Sequence, residues 1–223
     1  MKFNNNSINF GYACVNMQLA NPSQFSNSNQ KRIISHRTMI KKTFLEKGLP
    51  YASSLALKNC KDLFKIIKWN KKNNFNFFRI SSDLFPWCSE YELSDLPDYN
   101  KIKEVLFSIG NFVKQNNMRI TSHPGPFNVL TSPRKTVVKN CIKDLSIHGE
   151  TFDLMNLSRS TYNKINIHIG GAYGDKQSSL KRFCDNFKLL PQSVKSRLTV
   201  ENDDRASLYS VKDLYEGVYK SIS

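Results

Sequence analysis

Short apolar runs that read as β-strands alternate with longer segments in which apolar residues recur every three or four positions, as in amphipathic helices. The predicted strands cover residues 8–15, 75–80, 118–121, 164–169 and 198–200. Strands separated by helices form parallel sheets, because a parallel pair requires a long crossover connection. The alternation therefore predicts an α/β protein, either a doubly wound sheet or an incomplete (β/α)8 barrel of about five βα units.

The predicted helices cover residues 55–69, 102–112, 133–155, 180–190 and 211–218. Ser132 suits the cap of the third helix, and Pro133 suits its first turn. A polar, Asn- and Ser-rich stretch from Asn21 to Arg37 predicts a loop after the first strand. A complete barrel usually needs roughly 250 residues. We therefore expect residues 1–223 to form a single partial barrel domain that lacks the C-terminal units.

The chain is strongly basic, with 33 Lys and Arg against 18 Asp and Glu and no acidic residue before Glu46. A net charge of +15 favours a polyanionic partner, because neutralised phosphates release counterions. A Lys- and Asn-rich composition can also produce this charge without such a partner. No segment has the apolar length of a membrane span or of a signal-peptide core. We expect a monomer in the cytoplasm, at the nucleoid, or in a eukaryotic nucleus, neither secreted nor bound to a membrane.

The cysteines are scattered along the chain and form no Cys-x-x-Cys pair. This pattern is typical of reduced, intracellular proteins and argues against a zinc finger. We expect most of them to be small core residues. The five are Cys14, Cys60, Cys88, Cys141 and Cys184.

Polar side chains follow the predicted strands at the points where the strands end. Asn16 follows the first strand, His123 the third, His168 lies in the fourth and Glu201 follows the fifth. In βα barrels the C-terminal strand ends meet at one mouth, where catalytic groups lie. Any one of these residues can be structural, but two histidines and a glutamate at successive strand ends favour a divalent transition-metal site.

Other polar residues have structural interpretations. His148 lies within a predicted helix and is expected to be structural, whereas His36 lies in the polar N-terminal region and is expected to be solvated. Asp203 and Asp204 follow the fifth strand, where we expect them to cap the next helix.

The loop HIGGAYGDK, residues 168–176, is rich in glycine and precedes a predicted helix. Its glycines allow the backbone to approach a phosphate, the helix N-terminus favours anions, and Lys176 could add a charged contact. The glycines can equally serve tight turns. The spacing matches neither a P-loop nor a dinucleotide-binding fingerprint.

Several motifs in a fixed order resemble those of one enzyme family. They are GY at 11–12 with Asn16, RISSDLFPW at 79–87, HPGPF at 123–127, HIGGAYGDK at 168–176 and LTVEND at 198–203. Short pieces such as HPG are weak signals, but the ordered set is specific. The chain resembles UV damage endonuclease over about residues 10–205.

The resemblance implies a TIM barrel related to endonuclease IV and xylose isomerase. It implies a cluster of divalent ions at the barrel mouth, manganese as the first candidate, with magnesium, cobalt or zinc as others. The implied activity is hydrolysis of the DNA phosphodiester on the 5′ side of pyrimidine dimers and 6-4 photoproducts, which starts excision repair. The implied partner is double-stranded DNA that carries UV lesions.

The resemblance also implies roles for particular residues. His123, His168 and Glu201 match metal ligands of the family and would act in catalysis through the metal. Glu90 aligns with a histidine ligand, and a carboxylate can replace imidazole at manganese. Further ligands of the family follow the fifth unit and have no counterpart before Ser223.

The expected DNA contacts follow from the same resemblance. Tyr12 and Asn16 match residues that contact the damaged site. Pro126 and Phe127 replace a Gln-Tyr pair that probes the lesion, so an aromatic face for stacking is kept and the amide side chain is lost. Lys176 is the expected phosphate contact in the glycine-rich loop.

Two other interpretations remain open at this point. One is a metal-dependent sugar isomerase or epimerase of the same fold, against which the basic charge argues. The other is a non-catalytic DNA-binding fragment, which would bind duplex DNA in a salt-dependent way without metal or cleavage.

Overall fold

The computed structural model describes residues 9–25, 30–205 and 207–222. Its strands are β1 (Gly11–Ala13), β2 (Phe77–Ile80), β3 (Arg119–Ser122), β4 (Ile165–His168) and β5 (Leu198–Glu201). Its α-helices are α1 (Met17–Ala20), α2 (Pro22–Phe25), α3 (Lys41–Lys72), α4 (Tyr99–Gln115), α5 (Lys135–Leu154), α6 (Lys176–Phe187), α7 (Gln192–Lys195), α8 (Val211–Leu214) and α9 (Lys220–Ile222). A π-helical turn, Tyr215–Tyr219, joins α8 to α9.

The five strands form one sheet in which every neighbouring pair is parallel. Their spatial order, β1-β2-β3-β4-β5, is the order of the sequence. A doubly wound sheet reverses its strand order part-way, whereas a barrel adds each new strand to the same edge. The α/β prediction is confirmed, and the structure has the arrangement of five consecutive βα units of a barrel.

The two faces of the sheet differ in polarity because successive strand residues point to opposite sides. Phe78 and Ile120 are fully buried and pack against the helices. The intervening residues Arg79, Thr121 and Asn166 line a cavity of about 340 Å³ on the opposite, concave face. The sheet therefore presents polar side chains to the face on which a barrel carries its site.

Helix α3 extends well beyond the predicted segment 55–69. Gly48 interrupts the helix with φ 59°, a left-handed conformation that glycine adopts without steric cost, and Pro50 begins the regular part. After this kink, Ala52 and Ala56 are fully buried against the core. Gly48 and Pro50 are poor helix formers, so the apolar periodicity of the sequence did not reveal the N-terminal part of α3.

The predicted N-terminal boundary of helix α5 is corrected. The helix begins at Lys135 and its cap position is Arg134, so Ser132 is not the cap and Pro133 lies outside the first turn. The Ser132 hydroxyl instead accepts a hydrogen bond of 3.2 Å from the Arg134 amide. Ser132 therefore closes the turn that precedes the helix.

The N-terminal predictions also need correction. The first strand is paired only over Gly11–Ala13, and Ile8, where it was predicted to begin, lies outside the described residues. The predicted loop from Asn21 to Arg37 contains the short helix α2, and its residues 26–29 also lie outside them.

His36, which was expected to be solvated, is half-buried, and burial together with the nearby Arg32 charge lowers its pKa. His148 is buried in α5, as expected of a structural histidine, with its Nε2 at 3.8 Å from an Asp144 carboxylate oxygen. All five cysteines are free thiols, and four of them are buried, which confirms their predicted place in the core. None of the described helices has the length and apolarity needed to cross a membrane.

Candidate metal centre

Three side chains from adjacent strand ends meet on the concave face. His168 and Glu201 are register partners in β4 and β5, and His123 directly follows β3. The Nε2 atoms of His123 and His168 lie 2.7 and 2.8 Å from the same Glu201 oxygen, Oε1. Parallel strands ending at one edge thus bring together residues that are up to 78 positions apart in the chain.

The three residues form a compact set of donor atoms. One ligand atom from each of His123, His168 and Glu201 lies within 4.8 Å of the others. In the part of the chain that the structure describes, this is the one such group of three or more His, Cys, Asp and Glu donors. Two imidazoles and one carboxylate suit a divalent transition metal.

The surroundings of His123 fit a cation between the side chains. Its Nδ1 lies 3.0 Å from the Pro124 carbonyl oxygen, which only accepts hydrogen bonds, so Nδ1 is assigned the proton. In the neutral ring the Nε2 lone pair then faces the Glu201 oxygen. Two facing lone pairs require a proton or a metal ion between them, and metal-bound histidines commonly donate their other N–H to a carbonyl in this way.

Glu201 is held in its ionised form. Its Oε2 accepts a hydrogen bond from Asn166, whose own Oδ1 accepts one of 2.6 Å from the Thr199 hydroxyl. Burial alone would raise the pKa of Glu201, but its contact with His123 and the hydrogen bond from Asn166 lower it. The carboxylate is therefore available as an anionic ligand.

Asp203 does not cap the next helix, contrary to the sequence-based expectation. Ser210 caps α8, and the Asp203 Oδ1 atom lies 3.3 Å from His168 Nδ1, close enough for an ion pair but not aligned as a hydrogen bond. Its other oxygen accepts a long hydrogen bond of 3.4 Å from the Tyr209 amide. Asp204 is exposed and does not cap α8 either.

Sequence reasoning missed three residues that support this group: Asn166, Thr199 and Asp203. The first two precede His168 and Glu201 by two positions in a strand, so they share the same face of the sheet. That two-residue period is a signal from which both could have been found. Asp203 lies in a loop, and no periodicity indicates its direction.

A profile of the family described as "UV-endonuclease UvdE" matches residues 8–218. The chain belongs to the UV-endonuclease UvdE family. It is 36% identical over 208 residues to the "UV DNA damage endonuclease" of Clostridium perfringens, a match that covers 93% of this chain and 46% of the relative. It is 34% identical over 212 residues to the "Putative UV-damage endonuclease" of Acanthamoeba polyphaga mimivirus, a match that covers 95% of this chain and 61% of the relative.

A solved structure of the UvdE family agrees with the fold. The structure titled "Crystal Structure of SacUVDE" superposes with a TM-score of 0.78 at 32% identity, covering 96% of this chain and 66% of that one. The "UV-damage endonuclease" of Schizosaccharomyces pombe is 36% identical over 207 residues, which are 92% of this chain and 33% of that protein. The chain thus spans about half the length of the curated relatives it matches, and less in the yeast protein.

Glu90, the expected fourth ligand, is not among the converging donors. It is exposed and ends the 3-10 turn Cys88–Glu90, where its backbone amide donates a hydrogen bond of 2.9 Å to the Trp87 carbonyl. The structure brings together three of the four predicted ligands and leaves Glu90 apart from them.

Tyr12 and Asn16 form one hydrogen-bonded pair. The Asn16 amide donates to the Tyr12 hydroxyl at 2.6 Å and its Oδ1 caps α1, while the hydroxyl donates to Asn70. Burial raises the pKa of Tyr12, although the two amides oppose the shift. Tyr12 also lines the concave cavity that contains His123, so its ring borders the site while its hydroxyl is engaged elsewhere. Contact of either residue with damaged DNA stays a prediction.

Pro126 and Phe127 lie at the tip of the loop between β3 and α5. Phe127 is 86% exposed, the highest fraction among the exposed large hydrophobic side chains of the described residues. Both residues border a second cavity of about 450 Å³, which Trp87 also lines. The aromatic ring is therefore exposed, and its contact with DNA stays a prediction.

In the glycine-rich loop, residues 168–176, the loop's own Asp175 occupies the position at which an anion would bind. The Asp175 carboxylate caps α6 by accepting from the Gln177 and Ser178 amides, so an acid already occupies the helix N-terminus. Lys176 donates to the Leu208 carbonyl and lies 3.7 Å from Asp213. In this structure Lys176 connects the loop to the following unit, and its predicted contact with phosphate finds no support.

Proposed function

We propose that the protein to which this chain belongs is a metal-dependent endonuclease that cuts DNA beside UV lesions. The observation that carries the proposal is the convergence of His123, His168 and Glu201 at three successive strand ends in a chain of the UvdE family. The family match favours this activity over a sugar isomerase or epimerase of the same fold.

The donor set suggests which cation is bound. Magnesium prefers an all-oxygen shell that keeps several waters, whereas this donor set combines imidazole, which suits zinc, with a carboxylate, which suits manganese. We propose manganese as the first candidate, held by His123, His168 and Glu201. When bound, the cation would supply Lewis-acid stabilisation of the charge that develops on the phosphate.

The concave face contributes positive charge beside this centre. Arg79 and Lys164 line the same cavity as His123 and Glu201. Their cationic groups would attract and orient a phosphodiester, because each neutralised phosphate releases counterions. Asn166 would hold Glu201 in place while the substrate is bound.

Recognition of the lesion is proposed for the exposed loop. Phe127 would stack on a base beside the damage, with Tyr12 and Asn16 near the damaged site. A pyrimidine dimer or 6-4 photoproduct is poorly stacked, so displacing it costs less than displacing a normal base. We propose incision on the 5′ side of such lesions, which would start their excision.

Metal binding by this chain tests the ligand assignment without requiring cleavage. We expect calorimetric titration with Mn²⁺ to show binding that Glu201→Gln weakens by about tenfold or more, because the carboxylate charge facing both imidazoles is lost. Glu104→Gln is the matched control, since it removes an exposed carboxylate on α4. Equal affinity of the parent and Glu201→Gln would contradict the assignment.

Cleavage is tested with supercoiled plasmid in the presence of Mn²⁺. We expect this chain to nick UV-irradiated plasmid and to leave unirradiated plasmid intact. Salt-dependent DNA binding without metal binding or nicking would instead support the non-catalytic DNA-binding alternative for this chain.

A further inference from the structure

A groove of about 570 Å³ lies between residues 30–37 and helix α3. Two thirds of the residues that line it are Lys or Arg, against 33 of 223 in the whole chain. We call it the basic groove. Its basic residues are Lys31, Arg32, Arg37, Lys58, Lys61 and Lys65.

One carboxylate organises the groove without neutralising it. Asp62 is the single acidic lining residue, and its two oxygens lie 2.6 Å from Arg37 and 2.8 Å from Lys65. Burial alone would raise the pKa of Asp62, but hydrogen bonds from Lys65 and Arg37 lower it, so the carboxylate is ionised. These two ion pairs engage two of the six cations, Arg37 and Lys65, and the single carboxylate cancels one positive charge.

The other four cations remain available. Lys31, Arg32, Lys58 and Lys61 are exposed, and none of them forms an ion pair with another residue that the structure describes. The sequence reinforces this excess, since no acidic residue occurs before Glu46. A concave surface with four unpaired cations attracts a polyanion more strongly than scattered lysines do.

The groove lies beside the barrel mouth but outside the candidate metal centre. Residues 30–37 belong to the connection that leaves the C-terminal end of β1. Asn59 links this connection to the loop after β2. Its side-chain amide donates hydrogen bonds of 3.0 Å to the Arg37 carbonyl and 3.1 Å to the Leu84 carbonyl. The groove shares no lining residue with the cavity that holds His123 and Glu201.

We propose that the basic groove binds the phosphodiester backbone of duplex DNA at a distance from the reacting phosphate. The choice of DNA among polyanions rests on the proposed function. The contact is independent of sequence and damage, because lysine and arginine side chains reach phosphates without reading bases. It would anchor the flank of the duplex whose lesion lies at the mouth.

Salt-dependent binding of an undamaged, fluorescein-labelled duplex tests the proposal, measured by anisotropy with EDTA present. The groove variant is K31Q/R32Q/K58Q/K61Q. The matched control, K72Q/K103Q/K139Q/K212Q, removes the same charge from exposed lysines outside the groove. Urea unfolding checks that both variants are folded.

We expect the groove variant to reduce the slope of log K against log salt by about two to four, since each neutralised phosphate contributes about 0.9. Its affinity at low salt should fall by about tenfold or more, and the control should change the slope by less than about one. Equal losses in both variants, or none in the groove variant, would overturn the proposal. So would loss of binding to phosphatidylserine vesicles with duplex binding unchanged.

This experiment is separate from the tests of the proposed function. It needs neither metal nor cleavage, and none of the substituted residues belongs to the candidate metal centre. The proposed DNA contact of the basic groove can therefore be confirmed or refuted even if the chain binds no Mn²⁺ and cuts no DNA.

Discussion

At the scale of single residues, Asp203 lies beside His168, one of the proposed metal ligands, and should influence how that ring is held. Asp203 Oδ1 lies 3.3 Å from His168 Nδ1, on the opposite side of the ring from Glu201. We expect Asp203→Asn to weaken Mn²⁺ binding by about 10–100-fold, because the ring loses the anionic partner beside its Nδ1. Calorimetric titration with Mn²⁺ measures the change.

Asp204 provides the control for this prediction. It is the neighbouring carboxylate, it is exposed, and Asp204→Asn makes the same change of charge and size. Its Mn²⁺ affinity should match that of the parent. If both variants lost affinity equally, the effect would be one of overall charge rather than of orientation.

A second residue-scale feature is the fully buried guanidinium of Arg197. It donates to Asp153 at 2.8 Å and to the carbonyl groups of Leu157 and Ser158 at 2.7 and 3.1 Å. We expect Arg197→Ala to lower the free energy of unfolding by about 3–5 kcal/mol, since it leaves a buried network without its cation. Arg159→Ala, which removes an exposed partner of the same Asp153, should have little effect in the same urea titration.

At the scale of elements, a hydrogen-bonded anchor holds the loop that carries Phe127. Asn128 is buried, and its side-chain amide donates hydrogen bonds of 2.6 Å to the Asp144 carboxylate on α5 and 3.1 Å to the Gly125 carbonyl. Asp144 in turn accepts from the Cys88 thiol at 2.8 Å. The loop is thus fastened to the helix that follows it, and its exposed ring is presented from a fixed base.

Removing the anchor should loosen the loop without disturbing the proposed metal ligands. We expect Asn128→Ala to speed amide hydrogen exchange across residues 125–129 by about tenfold, because local opening no longer breaks the bond to Asp144. Mn²⁺ affinity should not change. Asn140→Ala, which truncates an exposed asparagine on α5, is the control, and equal exchange in both variants would contradict the anchoring role.

At the scale of the whole molecule, a buried histidine makes stability depend on pH. Burial lowers the pKa of His148 below its usual 6.5, although the nearby Asp144 partly opposes the shift. The folded state therefore resists protonation while the unfolded chain takes up the proton. Stability should be fully present above about pH 6.5 and should decrease as the pH falls through that value.

Urea unfolding with EDTA present at about pH 7.5 and about pH 5.5 measures this dependence. We expect the parent to be less stable at the lower pH and His148→Gln to lose less stability between the two conditions. An identical loss in both proteins would assign the effect to other groups, such as His36, whose pKa burial also lowers.

Periodicity predicted the elements well and their ends poorly. Each predicted strand and helix overlaps an observed element, because burial against a common core imposes a two- or three-to-four-residue period on the sequence. The predicted helix began only at residue 55, inside α3 and beyond its Gly48 kink, and Ser132 was mistaken for the cap of α5. A cap or a kink depends on only one or two residues, which are too few to form a periodic pattern of apolar residues.

The sequence by itself determined that His123, His168 and Glu201 lie at the ends of successive strands, and the parallel sheet then had to bring them to one edge. Only the tertiary structure decided which neighbours they have. Asp203 lies beside His168 because a loop packs against the end of β4. In the same way, Lys31 and Lys58 share the basic groove because two separate segments meet there. The physical reason is that chain order constrains where strands end, whereas the direction of a loop side chain is set by packing against residues far away in the sequence.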